Sequence, residues 1–279
     1  MATTKSASRI DVKKTYKMYI DGKFPRTESG RFYALKDKAG NTIANVCRGS
    51  RKDLRDAVVS NRKAQGDWNK RSAYNKAQII YRIAETLEGR KAQFVETMCK
   101  EGYTATTAKK EVEAAIDLLV YYAGWSDKYI QVFSAVNPVE SSHFNFSYPE
   151  PSGIANIICP DKEALLGIIS HAVPMIVGGN TCTLVVSENY PLTAIEFAEV
   201  IHASDLPGGV INLITGYRKE LVSHAASHMD VNAEHKKVIQ TNAALNVKRV
   251  IDYSKDKLES PYRILAGQEI KTTWHPIGI

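Results

Sequence analysis

Between Glu150 and Gly216 short, mostly apolar runs alternate with apolar segments of helix length, and each short run is fenced by proline or glycine. Ile154–Ile158 stops at Pro160, Thr181–Val186 follows Gly178-Gly179-Asn180, and Val210–Ile214 follows Leu206-Pro207-Gly208-Gly209; Leu165–Val177 and Leu192–Ala203 lie between them. A strand that is apolar at most positions, rather than at every second one, is buried on both faces. That restricts these strands to a parallel sheet with a helical layer on each side. The predicted fold class is therefore α/β, a Rossmann-like parallel sheet with flanking helices.

Upstream, Tyr16–Phe24 alternates around Asp21-Gly22, a pair suited to the positive φ values of a tight turn, and predicts a hairpin. From Arg51 the period becomes helical: Leu54, Val58 and Val59 share one face, and Ile79, Ile80, Ile83, Ala84 and Leu87 another, which predicts two helices split near Gly66-Asp67-Trp68. Ala92–Lys100 continues the helical pattern. Lys109–Tyr129 is a further predicted helix, with Val112, Ala115, Ile116, Leu119 and Val120 on its apolar side. Past Asn137-Pro138 the period falls to two, since Phe144, Phe146 and Tyr148 alternate with Asn145 and Ser147 before Pro149 and Pro151. This predicts a strand with one wet face, in an arm over about 132–151. Beyond Tyr217, Lys219–Ala226 and Glu234–Val250 have polar helical patterns, and the C-terminal stretch has no clear period. The expected organisation is a flexible tail over 1–15 and a single domain over 16–279.

The net charge of +7 invites a nucleic-acid reading, but the basic residues are interspersed with acids along the chain and form no stripe. Solvated helix faces account for them, and a nucleic-acid partner is not expected. No apolar run reaches the roughly 20 residues that span a bilayer, so no membrane partner is expected either. Cys47, Cys99, Cys159 and Cys182 are far apart and form no CxxC or Cys/His pair, which fits a reducing cytoplasm and no metal site. His224 and His228 stand one helical turn apart but lack a convincing third ligand other than Asp230, and His171 sits in an apolar helix as a core histidine does.

Several turns carry a family's wording. Tyr19-Ile20-Asp21-Gly22, Tyr121-Tyr122-Ala123-Gly124-Trp125, Glu150-Pro151-Ser152-Gly153-Ile154 leading into Ile158-Cys159-Pro160, Gly179-Asn180-Thr181, Pro191-Leu192-Thr193-Ala194 and Leu206-Pro207-Gly208-Gly209-Val210 through Gly216 follow one another over about Tyr16–Val231. In this order and spacing the chain resembles the aldehyde dehydrogenase superfamily, whose NAD-binding domain has the fold predicted above. With Trp274-His275-Pro276-Ile277-Gly278-Ile279 at its end, it is most similar to the degenerate second unit of the family-sixteen aldehyde dehydrogenases. No catalytic domain is expected to follow.

The resemblance implies which residues to inspect. Such enzymes attack the aldehyde with a cysteine thiolate, hold the oxyanion with a side-chain amide and a backbone N–H, pass hydride to NAD(P), and activate water with a glutamate. Where the family has Pro-Trp-Asn, this chain has Pro160-Asp161-Lys162, so the amide is lost and an ion pair between Asp161 and Lys162 is expected. Where the family grips the adenosine ribose with Lys-Pro-x-Glu, this chain has Val185, Val186, Ser187 and Glu188, which keeps only the glutamate. The glycine turn that faces the pyrophosphate is replaced by Asn232-Ala233-Glu234-His235-Lys236, and no cysteine follows Cys182. Buried Cys159 and Cys182 are expected to be inert.

No catalytic residue is assigned. Cys159, Pro160, Glu188 and Gly216 are the vestigial cofactor-binding positions; no cofactor is expected to be held tightly, and any NAD(P) binding is expected to be weak. Phe144, Phe146 and Tyr148 form the expected oligomerisation arm. The functional expectation is a catalytically silent protein that self-associates or partners a full-length aldehyde dehydrogenase, the alternative being an NAD(P)-binding oxidoreductase component or sensor of aldehyde metabolism.

Overall fold

The computed structural model of the chain describes residues 12–229, 233–234, 244, 248–253 and 256–278. Strand β1 (Thr15–Tyr16) pairs in parallel with β3 (Thr42–Cys47), which pairs antiparallel with β2 (Phe32–Lys36). Neither β2 nor β3 was foreseen, because each is short and neither alternates consistently between apolar and polar residues. The predicted hairpin reduces to one bridge, Ile20 with Lys23, around Asp21 (φ 54°) and Gly22 (φ 71°). Tyr19 instead bridges to Leu213, so the turn serves to close the far edge of the main sheet.

Helix α1 (Arg51–Lys70) starts with a capping box: Ser50 Oγ accepts from Asp53 N at 3.3 Å and Asp53 Oδ2 accepts from Ser50 N at 2.8 Å. The expected split at Gly66-Asp67-Trp68 does not occur. Trp68 is buried and its Nε1 donates to Ile176 O at 2.9 Å, so tertiary anchoring outweighs the cost of about 1 kcal/mol for a glycine within a helix. The break falls at Arg71, and Ser72 caps α2 (Ala73–Gly89). Then come α3 (Lys91–Lys100), α4 (Ala105–Trp125) and α5 (Lys128–Phe133). The single predicted helix 109–129 is thus α4, begun four residues earlier by its Thr104 cap, and part of α5.

The arm follows as β4 (Ala135–Asn137) and β5 (His143–Pro151), and the main sheet opens with β6 (Ile154–Ile158), α6 (Leu166–Val177), β7 (Thr181–Val185), α7 (Pro191–His202), β8 (Ile211–Ile214) and α8 (Arg218–Ser227). Short β9 (Ala233–Glu234) and β10 (Arg249–Val250) complete a five-stranded parallel sheet of order β10-β9-β6-β7-β8. Every residue of β6, β7 and β8 is buried, the polar Asn156, Thr181, Thr183 and Asn212 among them. Asn61 on α1 ties the helix layer to the sheet, donating to Cys182 O at 3.1 Å and Gly209 O at 2.7 Å. Of the predicted helix 234–250, both ends lie in strands β9 and β10 and most of the rest lies outside the described residues.

Short α9 (Tyr262–Ala266) precedes β11 (Gln268–Pro276). Pro174 inside α6 cannot donate to Ser170 O, and Arg263 on α9 supplies the missing donor, Nη1 to Ser170 O at 3.0 Å. β11 was not foreseen, and it corrects the picture of the arm. It pairs antiparallel with β5 along the whole strand, from Pro276 opposite His143 to Gln268 opposite Pro151, while β4 pairs the other edge. β5 is therefore the middle strand of a sheet β11-β5-β4, paired along one whole edge by β11 and over Asn145–Ser147 on the other by β4. The wet face is also inverted. Asn145 is 2% exposed, whereas Phe144 on the aromatic face is 43% exposed and neighbouring Val136 68%.

Candidate functional site

The strand order, renumbered from β6, runs 5-4-1-2-3, the doubly wound arrangement in which chain connections leave β6 toward opposite sides. Ligands of such sheets enter the crevice at the carboxyl end of that central strand. Here the crevice is bounded by the ends of β6, β7 and β8: Cys159-Pro160-Asp161, Ser187-Glu188 and Gly216-Tyr217-Arg218.

The four predicted cofactor positions do converge at this end of the sheet, and each is engaged by the chain itself. Cys159 continues β6, its N–H donating to Val185 O at 3.0 Å; burial pushes its thiol up to about 12, with Arg218 partly offsetting the shift, so it is no thiolate at neutral pH. Burial likewise raises the Cys182 thiol. Pro160 lies against Gly167 of α6, where an added Cβ would come within 2.5 Å of its ring. Gly216 has φ +147°, and an added Cβ would approach Gly49 N to 3.0 Å; glycine is required there by the close passage of the chain after β3. Glu188 accepts a hydrogen bond from Arg218 N at 2.7 Å and so caps α8.

Arg218 crosses the crevice. Its Nη1 donates to Asp161 Oδ2 at 2.6 Å and its Nη2 to Cys159 O, while Ser187 Oγ donates to the other oxygen of Asp161 at 2.7 Å. Its side chain is 17% exposed and Nε is buried without a partner. Asp161 thus pairs with Arg218 and not with Lys162 as expected, because the start of α8 brings the guanidinium across β6. The N-terminus of α6, a ready anion site, is also filled: Glu111 on α4 accepts from Leu165 N at 2.8 Å and Leu166 N at 3.1 Å, and Tyr103 OH accepts from Ala164 N at 3.1 Å. Neither Arg218 nor Glu111 was singled out from sequence. The one signal for Glu111 is an acid next to the apolar stripe of its helix; for Arg218 there is none.

The crevice offers carboxylates in Asp161, Glu188 and Glu111, one neutralised guanidinium, and at Val185 a fully buried side chain with no charge. The turn at Asn232–Lys236 lies outside the described residues apart from the backbone of β9.

The aldehyde dehydrogenase family pattern matches residues 24–238. The chain belongs to the aldehyde dehydrogenase family. It is 31% identical over 220 residues to aldehyde dehydrogenase family 2 member B4, mitochondrial, of Arabidopsis thaliana, covering 77% of this chain and 40% of the relative. It is 30% identical over 221 residues to the mitochondrial benzaldehyde dehydrogenase of Antirrhinum majus, covering 77% and 41%. Its fold matches the NAD+ complex of an aldehyde dehydrogenase from Bacillus cereus with a TM-score of 0.81 at 24% identity, over 85% of this chain and 50% of that one. This aldehyde dehydrogenase-family chain spans half or less of the length of these relatives.

Elsewhere in it, the arm presents a second candidate surface. Phe144, Phe146 and Tyr148 stack along β5 with ring centroids 5.5 and 5.9 Å apart, and with Ser134 and Val136 they line a shallow cleft of about 370 Å³. The opposite face carries a polar ladder, Asn137 Nδ2 to Asn145 Oδ1 at 2.6 Å and to Ser147 Oγ at 2.9 Å, continued to the exposed Thr272 by hydroxyls 2.8 Å apart. His171 Nδ1 lies 2.7 Å from Gly167 O, as a structural histidine does. His224 is on α8 and His228 just past it, and among the described residues no three ligating side chains gather as a metal site. No helix of the described residues is long and apolar enough to cross a membrane.

Proposed function

We propose that this chain is a catalytically silent aldehyde dehydrogenase-fold unit that acts by association, with itself or with a full-length aldehyde dehydrogenase, in the manner of the degenerate second unit of family-sixteen enzymes. The observation that carries the reading is a contrast. The polar groups at the sheet's carboxyl end are spent on one another, while the arm leaves Val136, Phe144, Phe146 and Tyr148 as a contiguous apolar face. Because β11 pairs one edge of β5 along its length and β4 covers Asn145–Ser147 on the other, association uses this face and the outer edges of β4 and β11. The alternative of an NAD(P)-binding component or sensor rests on Glu188 and Gly216, both of which have structural duties. The four free cysteines suit a reducing cytoplasm.

Sedimentation velocity on the wild type and on Phe144→Asp tests the reading. The half-exposed ring can be replaced without opening the core, so loss of assembly would report on the face itself. In a two-fold interface the change counts twice, and about 2 kcal/mol per copy weakens dimerisation by about a thousandfold. A wild type that is strictly monomeric and captures no full-length aldehyde dehydrogenase would end the proposal.

A further inference from the structure

Arg218 occupies the position in the crevice where a sheet of this strand order receives its ligand, and it does so as a neutralised group. Its charge is met by Asp161, its two terminal nitrogens are spent on Asp161 and Cys159 O, and Asp161 is itself steadied by Ser187. A guanidinium so engaged has its charge met by a carboxylate and one donor of each terminal nitrogen already used, so it attracts a phosphate less than a free one would. Its own backbone N–H holds the Glu188 carboxylate, so one residue closes the mouth between β6 and β8 from two directions. Arg218 is one of two groups that fill the described part of this end of the sheet, the other being Glu111 at the N-terminus of α6.

We propose that Arg218 is an internal plug: a side chain that fills the crevice at the carboxyl end of β6 and keeps out an adenine dinucleotide, so that cutting its tether to Asp161 uncovers a latent, weak nucleotide site. The plug rests on the reading that the wild type takes up no dinucleotide tightly. It adds that one cause of the exclusion is removable by itself, beyond Glu111 on the N-terminus of α6 and the loss of contacts at positions such as Val185. Arg218→Ala empties the crevice and retains the N–H that Glu188 caps. Asp161→Ala leaves the arginine in place but unties it and frees its donors.

The experiment is calorimetric titration of ADP-ribose and of NAD into the full chain and both variants, each checked for native far-UV circular dichroism and cooperative melting. ADP-ribose should bind Arg218→Ala at least about tenfold more tightly than the wild type, and Asp161→Ala with a smaller gain in the same direction. Should Arg218→Ala fail to fold, Asp161→Ala decides the matter alone. Folded variants whose affinity stays within about threefold of a weakly binding wild type overturn the plug and leave the reading of a silent unit standing. A wild type that binds NAD at low micromolar concentration overturns that reading, and the plug with it.

Discussion

Glu101 lies just past α3 and caps α7 from across the interface, accepting hydrogen bonds from Leu192 N at 2.6 Å, Thr193 N at 3.2 Å and Thr193 Oγ1 at 2.5 Å. Burial nevertheless pushes its carboxyl up from 4.5 to about 8, helped by Glu196 and opposed by those hydrogen bonds. Around it stand Glu196 of α7, itself raised by burial and bonded to Thr97 at 2.7 Å, and the phenols of Tyr16 on β1 and Tyr33 on β2. An acid whose folded pKa lies above its unfolded one binds more protons folded than unfolded. Its contribution is therefore most favourable below pH 4.5 and is lost as pH rises toward 8. At about 1.4 kcal/mol per pH unit the full interval corresponds to at most about 5 kcal/mol, and relaxation of a partly hydrated carboxyl brings the expected loss to about 2 kcal/mol. Glu96, Glu113 and Glu220, held below 4.5 chiefly by side-chain hydrogen bonds from Lys100, Lys91 and Arg48, lose their contribution only at more acid pH, so pH 5 to 8 separates the two effects. Glu101→Gln keeps an acceptor for Leu192 N and cannot ionise. Thermal melting should show the wild type losing about 4–8 °C between pH 5 and 8 and the variant losing much less, with a residual slope from Glu196. Parallel melting profiles for the two proteins would refute the reasoning.

Two further outcomes are expected. Arg263 is 3% exposed, donates to the carbonyls of Lys257, Ser170, Tyr253 and Asp256 and stacks 4.6 Å over the Tyr253 ring, so Arg263→Ala should cost about 3 kcal/mol in chemical denaturation by stranding those carbonyls; a loss below about 1 kcal/mol would contradict it. Purified chain should show no aldehyde-dependent NADH formation in a steady-state assay, since Cys159 and Cys182 are held as thiols by burial; turnover abolished by Cys159→Ala or Cys182→Ala would reverse that assignment.

What sequence could and could not foretell follows from the range of the forces involved. The parallel strands β6, β7 and β8 are written in mostly apolar runs, whose buried polar members such as Asn156, Thr183 and Asn212 are hydrogen-bonded to Ala225 O, Asn61 Oδ1 and Ala57 O, and each was found within a residue of its place. The aromatic alternation of Phe144, Phe146 and Tyr148 marks β5 equally well, but period two does not say which face is covered. The answer depended on Asn137, Ser147 and Thr272, which build a polar ladder on the other side and leave the rings toward solvent. β11 escaped because Glu269-Ile270-Lys271-Thr272-Thr273 has no consistent alternation; it is a strand by virtue of the partner β5 offers. The crevice is the extreme case. Asp161 and Arg218 are 57 positions apart, and Glu111 is 54 from the Leu165 amide it caps. Each is a residue type that any surface could carry. Apolar periodicity decides that a doubly wound sheet forms and that its carboxyl end opens at β6, yet it is indifferent to whether that end is filled. One guanidinium, placed by the first turn of α8, ties the carboxyl ends of β6 and β8 together, and Arg218→Ala tests whether that tie keeps a nucleotide out.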